Sequence, residues 1–196
     1  TNRLVGSEMC IRDSLMGILL QIVNAALIIG GQAVSASMGL SMANMVDPSM
    51  GNVPVIAQFF VICSTLIFLG LGGHVLVISL LLESFELLPI NSALDLQGLL
   101  KLTIEWSAMM FVGAILIGLP LMASLLFINI GLGVITRTAP ALNIFAVGFP
   151  AMILAGIVLL SLSMTSIGYR IQWLWQESFE IIGPVSYTHL TLPTMI

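Results

Sequence analysis

Charged residues make up only 7% of this 196-residue sequence, whereas 59% of its residues are hydrophobic. A soluble domain carries about 25% charged residues, so this composition cannot supply a water-facing surface. The chain has five lysines and arginines in total, too few for the basic patch that binding of nucleic acid requires. Its two cysteines, Cys10 and Cys63, are also too few for a disulfide framework or a metal site.

Catalytic and cofactor-binding motifs are missing as well. The sequence contains no HExxH and no GxxxxGKS/T pattern, and Gly131-Leu132-Gly133 lies inside an apolar stretch where helix packing explains it better. His74 could pair with a carboxylate, but a hydrogen bond within a helical bundle is favoured. We therefore predict that the protein is not an enzyme and that it has no catalytic, metal-binding or cofactor-binding residue.

Long uncharged stretches are what the sequence does contain. Residues 14–46, 48–82, 106–136 and 138–169 hold no charged side chain. Each stretch is longer than the about 20 apolar residues that cross a bilayer as a helix. Closed barrels are the alternative in lipid, but the alternating pattern of barrel strands is absent. The predicted fold is therefore an all-α, polytopic helical membrane protein.

Turn and helix-breaking signals divide the chain. The polar segment at residues 83–105 is predicted to be a loop with a short amphipathic helix at a membrane face. Residues 70–73 and Pro120 are expected to break their helices, and residues 30–31 are a candidate bend. The predicted spans are residues 15–45, 53–82, 106–135 and 146–167.

Charges and aromatic residues give a weak orientation. The hairpin order puts Asp47 and Arg137 on one membrane face and Lys101 and Arg170 on the other. The positive-inside rule then favours the cytoplasm for the face that carries Lys101. The aromatic residues near the end of the fourth span suit an interfacial belt, and they are Tyr169, Trp173 and Trp175.

Both ends of the chain differ in composition from the region between them. The strings EMCIRDS and VSYTHLTLPT resemble translated read-through of sequencing adapters, although genuine short tails are the alternative. We interpret residues 1–14 and 184–196 as non-native segments that flank a helical membrane region at residues 15–183. We expect both ends to make few contacts with that region.

Amide side chains recur within the predicted spans. Lipid-facing amides are unfavourable, so these side chains should face other helices or water. We therefore expect long, broken helical hairpins that are packed within a multi-subunit complex. The amides are Gln21, Asn24, Gln32, Asn44, Gln58, Asn129 and Asn143.

A turn is predicted around Pro140. Proline removes a backbone donor and disfavours helix at the preceding residue, and Asn143 can cap the helix that follows. Arg137 is the only charged residue between Trp106 and Tyr169, and an isolated arginine at bilayer depth is costly. Arg137 either meets water and head groups at this turn or forms a buried ion pair with a neighbouring subunit.

Three stretches of the sequence are more specific than generic membrane sequence. They are GLSMANMVDPSMGNVPVIAQFF, GGHVLVISLLLESFELLPI and GLPLMASLLFINIGLGVITRTAPALNIFAVGFP. Together they resemble the FliR family of flagellar biosynthesis proteins and its counterpart in injectisome-type secretion, with a resemblance that covers residues 15–182. The ending VGFP resembles the flagellar branch, and the family's additional N-terminal helices are not represented in this chain.

The resemblance implies a structural, channel-forming subunit of the type III export gate, which passes unfolded flagellar proteins across the bacterial inner membrane. It implies assembly with the P and Q subunits and other flagellar export proteins at the flagellar basal body. Membrane lipid and transiently bound, unfolded export substrates are the other implied partners, and no cofactor is implied. The equivalent subunit of a virulence-type III secretion system is one alternative.

A small-molecule transporter is the other alternative. Broken helices such as those predicted at Pro120 and residues 70–73 are typical of transporter binding sites. Transporter sites also concentrate ionisable residues near the membrane midplane, however, and the spans hold almost none. Inverted repeats are not evident either.

Methionines follow one face at the end of the first predicted span. Met38, Met42 and Met45 fall at i, i+4 and i+7 of a helix that leads to a turn at residues 46–54. The pattern alone favours ordinary packing, although unbranched thioethers also suit a deformable seal. In the family this loop is the plug of the closed channel. The resemblance therefore implies a plug formed by Met42, Asn44, Met45, Val46, Asp47, Pro48, Ser49, Met50, Gly51 and Asn52.

Overall fold

The computed structural model of the chain describes residues 2–40, 54–87, 96–138 and 144–187. Within these ranges there is no strand. Three helices are long and apolar enough to cross a membrane, and a bent pair raises the number of candidate spans to four. The predicted all-α, polytopic fold is thus confirmed. The helices are α1 (Asn2–Ser37), α2 (Val55–Gly70), α3 (Gly73–Leu87), α4 (Leu96–Thr138) and α5 (Ile144–Tyr187).

The helices extend further than the sequence signals predicted. α1 begins at Asn2 rather than at residue 15, and α5 continues to Tyr187. The predicted loop at residues 83–105 is wrong at both ends, because α3 runs to Leu87 and α4 already begins at Leu96. That the two ends of the chain make few contacts with the helical region stays a prediction.

Pro120 does not interrupt α4, contrary to the sequence-based expectation. The helix is continuous from Leu96 to Thr138. A proline removes a single backbone hydrogen bond, and here Ile117 and Leu121, on either side of it, are buried in the core at 0% and 2% exposure. Packing of these neighbours therefore holds the helix together across the missing bond.

The predicted weak point at residues 70–73 is confirmed as a break. α2 ends at Gly70 and α3 begins at Gly73, at an angle of 65°. Gly72 has φ +71°, a conformation that glycine adopts without the penalty of a Cβ atom. His74 is exposed at the start of α3, and the hydrogen bond predicted for it is not formed within the described residues.

α1 is the central helix of the bundle, in contact with α2, α4 and α5. Trp106 on α4 donates from Nε1 to the carbonyl oxygen of Leu19 at 3.2 Å, and further along both helices Gly118 lies beside Gly30. α1 and α4 therefore run parallel. α5 runs antiparallel to α4, since Leu174 in the last part of α5 lies beside Gly113 in the first half of α4.

Trp175 lies in the core rather than in an interfacial belt. It is 4% exposed, and its Nε1 donates to Ser64 Oγ on α2 at 2.9 Å. Its ring also packs against Phe68 on α2, with ring centroids 4.6 Å apart. The belt prediction was thus wrong for Trp175, but Tyr169 and Trp173 do lie at the surface.

Gly30 and Gly31 mark the closest approach of α1 to its neighbours. A Cβ atom built on Gly31 would lie 2.5 Å from the Cα of Ala57, and one built on Gly30 would lie 3.2 Å from the carbonyl oxygen of Ala114. α1 is nevertheless continuous through both glycines. The candidate bend at residues 30–31 stays a prediction, and both glycines have a packing role in which small residues let helix backbones meet.

We expect Gly31→Ala to destabilise the bundle by about 1–3 kcal/mol, the usual cost of overpacking, because its methyl group meets the α2 backbone. Gly17→Ala is the matched control in the same helix, with nothing within 4 Å. It should be neutral or stabilise by up to about 1 kcal/mol through helix propensity. SDS-induced unfolding of the complete protein measures both, and equal effects would contradict the close approach.

Candidate functional site

The predicted plug lies between two ends that the structure describes. Residues 42 and 44–52, to which the plug was assigned, fall outside the described residues. The chain is described up to Leu40 and again from Pro54. The structure therefore shows the helices that hold the two ends of segment 41–53.

α1 ends in a Schellman motif at Gly39. The amide of Leu40 donates to the carbonyl oxygen of Ser35 at 3.1 Å, and that of Gly39 donates to Ala36 at 3.0 Å. Gly39 has φ +80°, which this motif requires at its left-handed position. Leu40 packs against the hydrophobic core. The motif satisfies the last carbonyls of α1 and turns the chain out of the helix.

Met38 and Gly39 fix this end of α1 against α5. The Met38 side chain is 1% exposed and fills the space beside Gly156, where a Cβ atom would overlap the Met38 thioether. A Cβ atom on Gly39 would lie 3.4 Å from the Phe149 ring. Since α1 ends at Ser37, the helical spacing that joined Met38 to Met42 and Met45 is interrupted. Met38 is a core residue.

α2 holds the other end of the segment. Pro54 precedes the helix with φ −58° and ψ 148°, and its carbonyl oxygen accepts a hydrogen bond from the Gln58 amide at 3.1 Å. One turn into the helix, Ala57 packs against Gly31 and Phe60 is fully buried. The chain therefore enters the bundle within one turn of Pro54, and both ends of segment 41–53 are held near the C-terminal end of α1.

The other predicted site residues belong to the connection between α4 and α5. α4 is described up to Thr138 and α5 from Ile144, so the turn predicted around Pro140 lies outside the described residues and stays a prediction. Arg137 is exposed in the last turn of α4, where a cation is favoured by the helix dipole. It makes no ion pair with any residue of the described ranges. Pro140 and Asn143 lie outside those ranges, and both interpretations of Arg137 stay predictions.

The sequence pattern did not identify the residues that hold the segment at α1. Gly39 and Phe149 appeared only within the stretches that carry the family resemblance, and Gly156 was not singled out at all. The usable signal was glycine directly before an apolar residue at the end of a helical stretch, which is typical of a Schellman motif. The partner of Met38 on a helix more than a hundred residues later has no local signal.

Comparison with known proteins assigns the chain to a family. The sequence profile of the bacterial export proteins, family 1, matches residues 4–178. The chain belongs to this family of export proteins. Its relatives include the flagellar biosynthetic proteins FliR of Escherichia coli strain K12, Pectobacterium carotovorum and Aquifex aeolicus, with identities of 35%, 34% and 32%.

These alignments cover most of the chain but a smaller share of each relative. They include 87%, 87% and 84% of the chain, and 66%, 66% and 64% of the respective relatives. This FliR-type export protein therefore spans about two thirds of the length of the curated relatives that it matches.

We expect Gly39→Ala to lower the free energy of unfolding by about 1–2 kcal/mol, because a Cβ atom is strained at positive φ. Gly39→Asn should cost less, since asparagine tolerates this conformation. Gly70→Ala, which has open space around it and no positive φ, should be close to neutral. SDS-induced unfolding of the three variants tests this. An asparagine variant as unstable as the alanine variant would contradict the importance of the backbone conformation.

Proposed function

We propose that this chain is part of a structural, channel-forming subunit of the flagellar type III export gate, which passes unfolded flagellar proteins across the bacterial inner membrane at the flagellar basal body. Membership in the export family and relatives named flagellar biosynthetic protein FliR support this assignment. They also favour it over the virulence-type counterpart. The observation that carries the channel role is the segment 41–53, whose two ends are packed into one end of the bundle.

In this proposal segment 41–53 is the plug. Its proposed members are largely uncharged and include three methionines, whose flexible thioethers can close on one another and then yield. Its action would be steric and hydrophobic, blocking ions and water until a substrate moves it aside. The role requires neither a catalytic residue nor a cofactor. The proposed members remain Met42, Asn44, Met45, Val46, Asp47, Pro48, Ser49, Met50, Gly51 and Asn52.

The outer surface supports assembly with P and Q subunits and other flagellar export proteins. The amide side chains of Gln21, Gln32 and Asn129 are exposed, although amides facing lipid are unfavourable. Large apolar side chains are exposed beside Asn129 along one side of α4. Protein neighbours would cover both kinds of side chain. The exposed apolar residues of this line are Ile115, Leu119, Leu126, Ile130 and Val134.

The length of the last two helices gives independent support. α4 has 43 residues and α5 has 44. At a rise of 1.5 Å per residue each is about 65 Å long, roughly twice the hydrocarbon thickness of a bilayer. Helices of this length extend beyond the lipid on at least one side, and their apolar surface there requires contact with other proteins.

A small-molecule transporter has less support from the described spans. Transporter sites hold ionisable residues near the membrane midplane, whereas α4 has no charged residue between Glu105 and Arg137. Co-purification distinguishes the export-gate subunit from the transporter. The export-gate subunit should co-purify with P and Q subunits, and a transporter should be stable without them.

Deletion of residues 44–52 from the complete protein tests the plug. We expect the deletion variant to assemble with P and Q subunits, because it keeps Met38, Gly39 and Ala57, which hold the two ends of the segment in the bundle. Liposomes that carry the variant complex should conduct ions far more than those with the wild-type complex. A deletion complex that assembles and remains as tight as wild type would rule the plug out, and failure of the wild-type proteins to co-purify would overturn the assembly.

Two glycine variants separate leakage from general instability. Gly39 and Gly72 both have positive φ, +80° and +71°, so alanine should strain the backbone similarly at each. Only Gly39 borders segment 41–53. Gly39→Ala should therefore raise ion conductance, whereas Gly72→Ala should leave the complex tight. Equal leakage from both variants would show that general instability of the protein causes the ion conductance.

A further inference from the structure

A groove lies on the surface where α4 packs against α5. Its volume is about 670 Å³, within the range of sites that bind small organic ligands. Its lining combines apolar side chains with hydroxyl groups, two aromatic rings and one cation. The lining residues are Leu116 of α4 and, from α5, Leu162, Thr165, Ser166, Tyr169, Arg170 and Trp173.

Arg170 gives this groove a positive charge that the described residues do not balance. Among them no carboxylate lies within 4.0 Å of its guanidinium group. The next acidic residue on α5, Glu177, is two helical turns away, about 10 Å along the axis. On α4, Glu105 already pairs with Lys101 at 3.8 Å. The groove is thus complementary to an anion.

Two hydroxyl groups beside Arg170 have unused hydrogen-bonding capacity. Exposed serines elsewhere in the long helices, such as Ser124 and Ser161, donate to a carbonyl oxygen of their own helix at 2.9 Å. Thr165 and Ser166 are exposed as well, but their hydroxyls make no hydrogen bond within the described part of the chain. They are free to bind an anion together with the guanidinium group.

The groove lies where α5 first carries a charge. No charged residue precedes Arg170 in α5, which begins at Ile144. Over this uncharged part the helix rises about 39 Å, more than the about 30 Å thickness of the hydrocarbon core, so Arg170 can lie at a boundary with the lipid head groups. Tyr169 and Trp173, 70% and 38% exposed, are residue types that concentrate at this boundary.

We propose that the groove binds an anionic phospholipid. Its phosphate would contact the Arg170 guanidinium and the hydroxyls of Thr165 and Ser166, and one acyl chain would follow Leu116 and Leu162. A guanidinium group suits phosphate because its planar donors bind two oxygens at once. Basic pockets between transmembrane helices are known sites of acidic lipid head groups. A helix from a partner subunit fits less well, since it would have to place a carboxylate at Arg170.

Quenching of Trp173 fluorescence by brominated lipids tests this proposal. The complete protein with its P and Q partners is placed in phosphatidylcholine nanodiscs that contain rising fractions of phosphatidylglycerol with brominated acyl chains. Trp106 and Trp175 are 3% and 4% exposed and are therefore shielded. Subtracting the signal of a Trp173→Phe variant isolates Trp173 from every other tryptophan of the complex.

We expect brominated phosphatidylglycerol to quench Trp173 at a mole fraction about fivefold lower than the mole fraction of brominated phosphatidylcholine that gives the same quenching. This ratio corresponds to about 1 kcal/mol, the attraction of one basic residue to an anionic lipid. Arg170→Gln should abolish this preference and Arg170→Lys should weaken it. Lys101→Gln, which removes an exposed cation outside the groove lining, is the matched control and should retain it.

Several outcomes would overturn the proposal. They are equal quenching by the two lipids, loss of the preference in Lys101→Gln, and relief of quenching by soluble glycerol phosphate, which would indicate a site for free phosphate. Cross-linking to a P or Q subunit by a photoreactive label attached to the cysteine of a Ser166→Cys variant would show a protein occupant instead. The inference does not depend on the plug, and if P and Q subunits fail to co-purify, the same measurement applies to the complete protein alone.

Discussion

α1 passes α2 and α4 with so little space that a single methyl group on Gly31 would collide with the backbone of Ala57. In lipid, helix association depends on van der Waals contact and hydrogen bonds, because the hydrophobic effect gives no preference for a protein neighbour. The crossing therefore fixes the position of α1 relative to both neighbours. The two indole hydrogen bonds of the core, from Trp106 to Leu19 and from Trp175 to Ser64, form in the resulting register.

The fold class and several helix limits could be predicted because their signals are local. Uncharged stretches longer than a bilayer-spanning helix indicated the spans, and the glycines at residues 70–73 indicated the break between α2 and α3. Each of these depends on the hydropathy or backbone freedom of neighbouring residues, which the sequence shows directly.

The remaining features depend on partners that are distant in sequence. The packing role of the glycines at residues 30–31 becomes visible only when Ala57 and Ala114 are placed against them. Trp175 resembles a belt residue until Ser64 is found to accept its hydrogen bond. Pro120 is a helix breaker in isolation, but its buried neighbours outweigh one lost hydrogen bond, which is worth about 1 kcal/mol. For the candidate site, the sequence indicated the segment and the structure adds its anchoring by Met38 and Gly39.

The same packing limits how a channel plugged by segment 41–53 could open. Moving α1 would separate Gly31 from Ala57 and break the hydrogen bond from Trp106 to Leu19. Moving α2 would leave the Trp175 indole without its acceptor, and a buried unpaired donor costs about 1–3 kcal/mol. Under the proposed function, we therefore expect the rearrangement that clears the channel to preserve these contacts, with α1 and α2 keeping their places in the bundle.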